Sequence, residues 1–176
     1  MEMNRRQLET LLVTLESTSA LLQRAAEDLT AEQVRRRPAG GGFSLLENVW
    51  HLADLEREGY GERIRRLLSE DEPALADFDG ERAARERRYQ DRDLAEGLAA
   101  FAEARRRNLE KLRDTQGADW ARRGVQEAVG RISLADVPRM MAEHDLSHSQ
   151  DIAALLSELR GEPLPGRGNH TTSAVA

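Results

Sequence analysis

The chain has 176 residues, enough for one domain with a hydrophobic core. It carries 26 basic and 32 acidic side chains, a formal net charge of −6, whereas nucleic-acid-binding proteins are usually basic, so we expect no nucleic-acid partner. The absence of cysteine excludes disulfides, thiolate metal sites and cysteine nucleophiles, and the low aromatic content of 4% favours amphipathic helices over a β-sandwich.

The first predicted helix has the spacing of an amphipathic helix, because its leucines recur at steps of three, four and seven residues. These leucines are Leu8, Leu11, Leu12, Leu15, Leu22 and Leu29. We expect the helix to end at Pro38, since the alanine and three glycines of residues 39–42 cannot hold a helix without a large conformational cost.

The second helix begins with a capping box, in which the Ser44 side chain accepts from the backbone while Glu47 reaches back to the start of the helix. Phe43 stands where a hydrophobic staple would pack. Apolar residues continue to about Leu68, and the acidic stretch at residues 69–73, which ends in proline, terminates the helix.

Residues 73–90 form a connection that is longer than the usual link between two helices of a bundle. We expect it to cross the bundle and to contain a short helix around residues 81–88. A third helix then begins at Asp91 or Asp93, with apolar residues at helical spacing. They are Leu94, Leu98, Phe101, Leu109 and Leu112.

Arg105 occupies a position of the third helix where an apolar residue is expected. One interpretation is that its aliphatic stem passes the edge of the core while the guanidinium reaches water. The other is that the arginine is paired inside a pocket, where it could receive the carboxylate of a cofactor. The sequence leaves both interpretations open.

Residues 116–131 contain three glycines and Trp120, and could be a loop or a short extended excursion. The fourth helix follows. Ser133 and Asp136 form a capping pair at its start, and Gly161 is its natural end.

Four helices with one long crossover predict an all-α four-helix bundle over residues 1–160. Residues 161–176 are rich in proline, glycine, serine and threonine, and we expect a disordered tail there. No apolar run approaches the roughly 20 residues of a membrane span, and the amino-terminal residues lack the apolar region of a signal peptide. We therefore expect a cytoplasmic protein with no membrane partner.

Two histidines of the fourth helix, His144 and His148, are four residues apart and lie on one helical face. It is the apolar face, beside Met141 and Leu155. Two neighbouring inward imidazoles form a natural metal chelate, whereas without metal each ring needs a hydrogen-bond partner in the core. Because buried histidines often have a purely structural role, the spacing alone leaves both interpretations open.

His51, in the second helix, is the remaining histidine of the part of the chain predicted to be structured. It lies roughly opposite the mean apolar direction of its helix, which favours a side chain that faces solvent. A ligand role requires this face to look into a cleft between helices, where a third imidazole would complete a set with open coordination positions.

The spacing of His144 and His148 is also that of the zinc-protease motif, with Asp145 in place of the catalytic glutamate. Aspartate is one methylene shorter than the glutamate that serves as general base. No third-ligand motif follows in a segment predicted to be structured, so a protease is the weaker alternative.

Three segments of the chain resemble the DinB/YfiT-like bundle proteins. Residues 42–56, which read GFSLLENVWHLADLE, resemble the second-helix signature of that family. Residues 141–152, which read MAEHDLSHSQDI, are similar to its last-helix signature, and residues 78–105 resemble its middle part. The segments occur in the family's order over most of residues 5–160.

This resemblance implies a four-helix bundle with up-down-down-up connectivity, in which the long link joins helices 2 and 3. It also implies a divalent metal ion, usually nickel or zinc, held by His51, His144 and His148. Many members have no assigned activity. Those that do mostly couple a low-molecular-weight bacterial thiol to another molecule, and a related branch isomerises maleylpyruvate with mycothiol.

We therefore expect a metal-dependent enzyme in which water or a bacterial thiol, such as bacillithiol or mycothiol, attacks a small-molecule substrate. Glu47 and Asp151 lie about one turn from histidines and are candidates to orient a ligand or move a proton, unless they are only solvated carboxylates. Arg105 is the candidate to receive a cofactor carboxylate. The alternative is a metal-binding stress or damage-inducible protein without turnover.

The second helix carries apolar residues over a wider arc than one core needs. They include Leu46, Trp50, Ala53, Ile64 and Leu68. Bundles of the DinB/YfiT-like family often dimerise through helix faces, and we expect a homodimer here.

Overall fold

The computed structural model describes residues 5–161. Its α-helices, in chain order, are α1 (Arg5–Ala26), α2 (Leu45–Asp54), α3 (Gly61–Ser69), α4 (Gly80–Glu86), α5 (Leu94–Asp114) and α6 (Val137–Arg160). A π-helical turn, Leu55–Tyr60, joins α2 to α3 without a break, so the two form one long helix. With α1, α5 and α6, this long helix makes the four-helix bundle that the sequence predicts.

The two apolar clusters of the core show how the helices run. The first half of α1 shares one cluster with the beginning of α6, the end of α3 and the second half of α5. The second half of α1 shares the other cluster with the second half of α6, with α2 and with the first half of α5. α1 and α6 are therefore parallel to each other and antiparallel to the other two helices. This arrangement confirms the up-down-down-up connectivity.

The connection between α3 and α5 returns the chain from one end of the bundle to the other, as its length predicts. It contains a short strand, β1 (Ala74–Leu75), then α4 and a 3-10 turn, Tyr89–Asp91. Asp79 and Asp93 cap the starts of α4 and α5, because their side chains accept hydrogen bonds from backbone amides. The third predicted helix thus begins after Asp93.

Residues 116–131, which the sequence leaves open between a loop and an extended segment, contain both. A 3-10 turn (Gly117–Ala121) precedes the hairpin of β2 (Arg123–Gln126) and β3 (Gly130–Ser133). β2 pairs antiparallel with β3 and parallel with β1, so the three strands form a small sheet in the order β1-β2-β3. The all-α class describes the bulk of the fold, and this sheet is a minor addition to it.

α1 ends at Ala26, well before Pro38, so the predicted end of the first helix is wrong. The cause is local. Thr30 and Gln33 exchange hydrogen bonds between side chain and backbone, at 2.9 and 3.2 Å, and so begin a separate 3-10 turn. Leu29 still packs against the core after the helix has ended, which is why the apolar period continues past it.

The other helix ends follow their sequence signals. The capping box of Ser44 and Glu47 is present with both reciprocal hydrogen bonds, and Ser133 and Asp136 form a second one. Gly161 ends α6 with a φ of 70°, a left-handed conformation that glycine adopts without strain. The predicted tail, apart from Gly161, lies outside the described residues. Among the helices described, none is long and apolar enough to cross a membrane.

A layer of polar side chains separates the two apolar clusters at the middle of the bundle. Each of the four long helices contributes to this polar layer, whose buried members are Thr18, Glu56, Arg105, Asn108 and Asp145. Arg105 donates to both carboxyl oxygens of Asp145, at 2.7 and 2.9 Å, and to Glu56 at 3.0 Å. Thr18 donates to Asp145 at 2.7 Å. Because Arg105 is only 2% exposed, the interpretation that its guanidinium reaches water is wrong.

The wide apolar arc of the second helix is covered by the chain itself. Every residue of α2 is buried, because α5, α4 and the 3-10 turn that follows α4 all pack against it. Leu46, Trp50, Ala53 and Ile64 are at most 3% exposed, and Leu68 is half-buried. The homodimer stays a prediction, but most of the surface from which it was inferred is not free.

Candidate metal centre

The structure places His51, from α2, beside His144 and His148, from α6. One ring nitrogen from each histidine lies within 4.8 Å of the other two. The ring centroid of His51 is 5.5 Å from that of His144 and 4.8 Å from that of His148, and the last two are 4.4 Å apart. The two imidazoles of α6 thus stack on one face, as their spacing predicts.

His51 faces the connection between α3 and α5 and is only 8% exposed. Its ring contacts those of Phe43 and Phe78, with centroids 5.5 and 5.9 Å away. The interpretation that His51 faces solvent is therefore wrong. Helical periodicity could not reveal this, because part of the cover comes from a connection distant in sequence.

Gly80, at the start of α4, lies against the edge of the His51 ring. A Cβ built on this glycine would lie 2.4 Å from both Nδ1 and Cε1 of His51, and 3.6 Å from Nε2. Nonbonded heavy atoms do not approach to 2.4 Å, so any other residue at this position would displace the ring or α4. The missing side chain lets the connection close over His51.

His148 is held by Asn48, which lies one turn before His51 on α2. Nδ1 of His148 is 2.7 Å from Oδ1 of Asn48. The hydrogen bonds fix the orientation of the amide, since its Nδ2 donates to the carbonyl oxygens of Phe43 and Ser44 at 3.2 and 3.0 Å. Oδ1 therefore accepts, Nδ1 of His148 carries the proton, and Nε2 is left with a free lone pair for a metal ion.

All three imidazoles are held in the neutral form that binds metal ions. Burial is the largest cause. Together with the charges of neighbouring histidines, it lowers the pKa of His51 to about 3 and that of His144 to about 4. Burial also lowers the pKa of His148. The cluster is therefore ready to bind a cation at neutral pH without first losing protons.

The cluster fits a divalent ion in two further respects. Nδ1 of His144 is buried with no hydrogen-bond partner among the described residues, which is costly in a polar group. In a tetrahedral site, nitrogens that share one ion at 2.0–2.1 Å lie about 3.4 Å apart, so the histidine nitrogens, which lie within 4.8 Å of one another, would have to move together by up to about 1.4 Å to bind one ion. Three imidazoles suit zinc or nickel and leave coordination positions open.

Tyr60, at the end of the π-helical turn, forms another wall of the cluster. Its ring lies edge-on to that of His144, with centroids 6.3 Å apart. Its hydroxyl donates to the carbonyl oxygen of Met140 at 3.1 Å, and this bond ties the long helix to α6. Burial raises the pKa of Tyr60, so the hydroxyl keeps its proton.

The two carboxylates predicted to assist the centre are in different situations. Glu47 is 1% exposed and is bound by Ser44 and Arg37. Burial opposes its ionisation, but the hydrogen bonds from Arg37 and Ser44 prevail and lower its pKa. Glu47 lines a cavity of about 450 Å³ whose walls include none of the three histidines. Asp151 is exposed, and its negative charge favours protonation of His148. Of these two carboxylates, Asp151 is therefore the one that acts electrostatically on the cluster.

Asp145 and Arg105 do not serve the cluster directly. The carboxylate of Asp145, which takes the place of the protease glutamate, is bound by Arg105 and Thr18 in the polar layer and cannot act as a general base. The Nη atoms of Arg105 are bound to Asp145, Glu56 and the carbonyl oxygen of Leu15. The predicted role of Arg105 as the receiver of a cofactor carboxylate is therefore wrong, because both of its Nη atoms already pair inside the protein and the side chain is only 2% exposed.

The sequence analysis missed Asn48, Gly80 and Tyr60. A signal existed for Asn48, since it lies three residues before His51 and hence on the same helical face. Gly80 and Tyr60 carry no such signal. Their places depend on the path of the connection and on the extra residue of the π-helical turn, neither of which has a periodic pattern.

Comparison with known proteins supports the fold. The family model described as DinB superfamily matches residues 14–152. The solved structure of YfiT from Bacillus subtilis, described as a probable metal-dependent hydrolase with an unusual four-helix bundle topology, superposes with a TM-score of 0.82 at 24% identity, over 92% of each chain. A curated protein of Bacillus licheniformis named "putative metal-dependent hydrolase" is 34% identical over 79 residues. That alignment covers 45% of this chain and 44% of the relative, less than half of either.

Proposed function

The chain belongs to the DinB superfamily, and from this premise we propose that it is a metal-dependent enzyme whose divalent ion is held by His51, His144 and His148. One observation carries the proposal: three neutral imidazoles, from two helices, lie within 4.8 Å of one another in a largely buried cluster. Both similar proteins described as metal-dependent hydrolases support it. Nickel and zinc are the ions that we propose, because imidazole ligands suit both.

An enzyme is favoured over a structural metal protein because the cluster supplies three protein ligands. Structural zinc sites close the fourth position with a protein side chain, whereas catalytic sites keep it open. In an open position, a divalent ion would lower the pKa of a thiol or of water and so make a nucleophile available near neutral pH.

The chain's own residues prepare the centre. Asn48 fixes the tautomer of His148, so that Nε2 points its lone pair at the ion site. Phe43 and Phe78 contact the His51 ring and exclude water from that side. Asp151, exposed and electrostatically coupled to His148, is the carboxylate that we propose to move a proton between the site and solvent.

Two nucleophiles remain to be distinguished. Water is favoured by the descriptions of the two similar proteins as hydrolases. A bacterial thiol, such as bacillithiol or mycothiol, is favoured by the resemblance of the histidine-bearing segments to the DinB/YfiT-like proteins. The small-molecule substrate would be an ester or amide in the first case and an electrophile in the second.

The test begins with metal content. Protein purified without an affinity tag should contain about one nickel or zinc ion per chain, and His148→Ala should not. The metal-loaded wild type is then assayed for hydrolysis of nitrophenyl esters, and for conjugation of bacillithiol or mycothiol to an epoxide or chlorinated compound. His148→Ala should abolish whichever rate is found. A fully loaded wild type no faster than free metal in every assay would favour the non-catalytic stress protein, and a wild type that binds no metal would overturn the proposal.

A further inference from the structure

Arg63, in α3, is a buried cation without a good counter-charge. The residue is 6% exposed, and its ion pair with Asp77 spans 3.5 Å between Nη2 and Oδ1, too long for a strong hydrogen bond. Its Nε is enclosed and has no hydrogen-bond partner among the described residues. A buried guanidinium is costly unless its donors are paired, so the position of Arg63 calls for a ligand.

Asp77 does not fully neutralise Arg63, because its carboxylate is engaged elsewhere. Oδ1 of Asp77 accepts from the side-chain amide of Gln126 at 2.7 Å, and Oδ2 accepts from the backbone amide of Ala128 at 3.0 Å. Both donors belong to the hairpin of β2 and β3. Asp77 therefore fastens the connection to this hairpin, and its long contact with Arg63 is secondary.

Two aromatic residues link Arg63 to the metal centre. On one side, Cζ of Arg63 is 5.3 Å from the ring centroid of Tyr60, and that ring is 6.3 Å from His144. On the other side, Phe78 follows Asp77 directly and contacts the His51 ring at 5.9 Å. Arg63 and the histidines thus lie at the two ends of one strip, bounded by Tyr60 and Phe78.

The floor of this strip is formed by the long helix, where Gly59 has no side chain. A Cβ on Gly59 would lie 2.5 Å from Cδ1 of Leu55 and 3.6 Å from Cβ of Phe78, so both Leu55 and the connection pack close to the helix backbone here.

We propose that Arg63 receives the anionic end of the substrate, a carboxylate or phosphate group, while the reacting end meets the metal ion at His51, His144 and His148. This inference rests on the proposed function. A divalent ion on three neutral imidazoles keeps its full charge, and with Arg63 it makes both ends of the strip positive. The planar fork of a guanidinium matches the two oxygens of a carboxylate, and also binds phosphate.

The experiment uses the full chain loaded with zinc, with zinc content measured for every sample. Wild type and Arg63→Gln are titrated calorimetrically with straight-chain dicarboxylates from succinate to suberate, with inorganic phosphate, and with imidazole as a neutral ligand of the metal alone. Wild type should bind at least one of the anions at least tenfold more tightly than Arg63→Gln does, with imidazole affinity unchanged. The tighter class of anion identifies carboxylate or phosphate as the preferred group.

Two further variants keep the test decisive. Asp77→Asn removes the carboxylate beside Arg63 and should preserve or tighten anion binding. If Arg63 and Asp77 formed only a structural pair, Asp77→Asn and Arg63→Gln would lower the anion affinity alike. Arg63→Lys keeps the charge without the planar fork and should lose part of the anion affinity. This variant provides the comparison if Arg63→Gln does not fold. Equal anion affinity in wild type and the Arg63 variants, or a zinc-loaded wild type that binds imidazole but no anion, would overturn the inference and leave the proposed function standing. A wild type without zinc would overturn both.

Discussion

Oδ1 of Asn48 and Nδ1 of His148 lie 2.7 Å apart across the contact between α2 and α6. The same asparagine donates to the carbonyl oxygens of Phe43 and Ser44, where α2 begins. A single amide thus joins the capped end of one helix to a metal-ligand candidate on another. Because capping fixes the amide, it also fixes the histidine tautomer.

Removing this hydrogen bond should weaken metal binding. We expect Asn48→Leu to lower zinc affinity about 10–100-fold, the usual effect of losing a partner that orients a metal-ligating histidine. Asn48→Asp keeps an acceptor for Nδ1 of His148 and should retain most of the affinity. Competition with a chromogenic chelator measures both. Equal losses in the two variants would show that the amide acts through the helix cap and not through His148.

A side chain at residue 80 should disturb His51. In Gly80→Ala, the added Cβ would overlap Nδ1 and Cε1 of His51, so the ring must turn away, and zinc affinity should fall at least tenfold. Gly40→Ala is the matched control, because a Cβ at Gly40 meets nothing within 4 Å. Unchanged zinc affinity in Gly80→Ala, measured with the same chelator, would mean that α4 yields instead of the histidine.

Metal removal should lower thermal stability. Free zinc at 100 times its dissociation constant stabilises the folded state by about 2.7 kcal/mol, which corresponds to about 5–10 °C in Tm for a domain of this size. Thermal unfolding before and after chelator treatment measures the shift. His144→Ala should show none, since it lacks a ligand. A wild-type Tm that is indifferent to zinc would contradict a site in the folded chain.

The metal-free protein should lose stability as the pH falls below about 6.5. Burial lowers the pKa of His51 to about 3 and that of His144 to about 4 in the folded state, whereas both titrate near 6.5 in the unfolded chain. Between these values the unfolded chain binds protons that the folded chain does not, so acid favours unfolding, and the effect is absent above pH 7. Urea unfolding at pH 7.5, 6.5 and 5.5 measures it. The double variant His51→Gln, His144→Gln should show a flatter dependence over this range.

Breaking the polar layer should be costly. Arg105→Met leaves Glu56 and Asp145 buried without their cation, and loss of one partner from a buried ion pair destabilises by about 3–5 kcal/mol. The neighbouring Arg106 is the matched control, since its side chain is 55% exposed. Arg106→Met should change the free energy of unfolding by less than about 0.5 kcal/mol. Urea denaturation compares the two, and a similar small effect in both would mean that the buried carboxylates accept protons and remain folded without Arg105.

The predictability of each element follows from how local its signal is. The long helices, their capping boxes and the pairing of His144 with His148 depend on residues within a few positions of one another, and sequence analysis finds them. The orientation of His51 depends on the path of the connection between α3 and α5. Arg105 finds its partners on three other helices, so the pattern of α5 marks its place among the apolar residues but cannot tell a buried pair from a side chain that reaches water. At Leu29, a local signal is misleading. This leucine continues the apolar period of α1 because it packs against the core, although the helix has already ended.

The polar layer also bears on the distance between the metal-ligand candidates. If α6 slid by one turn along α2, Asp145 would leave Arg105 and enter an apolar cluster, at the cost of burying an unpaired charge. The polar layer therefore opposes sliding of the helices along the bundle axis. Because Asp145 directly follows His144, the same contact sets the height of that imidazole relative to His51 on the opposite helix. The position of the candidate ligands along the bundle axis is thus determined by charges that do not contact the metal. Substitutions in the polar layer should therefore change the metal affinity.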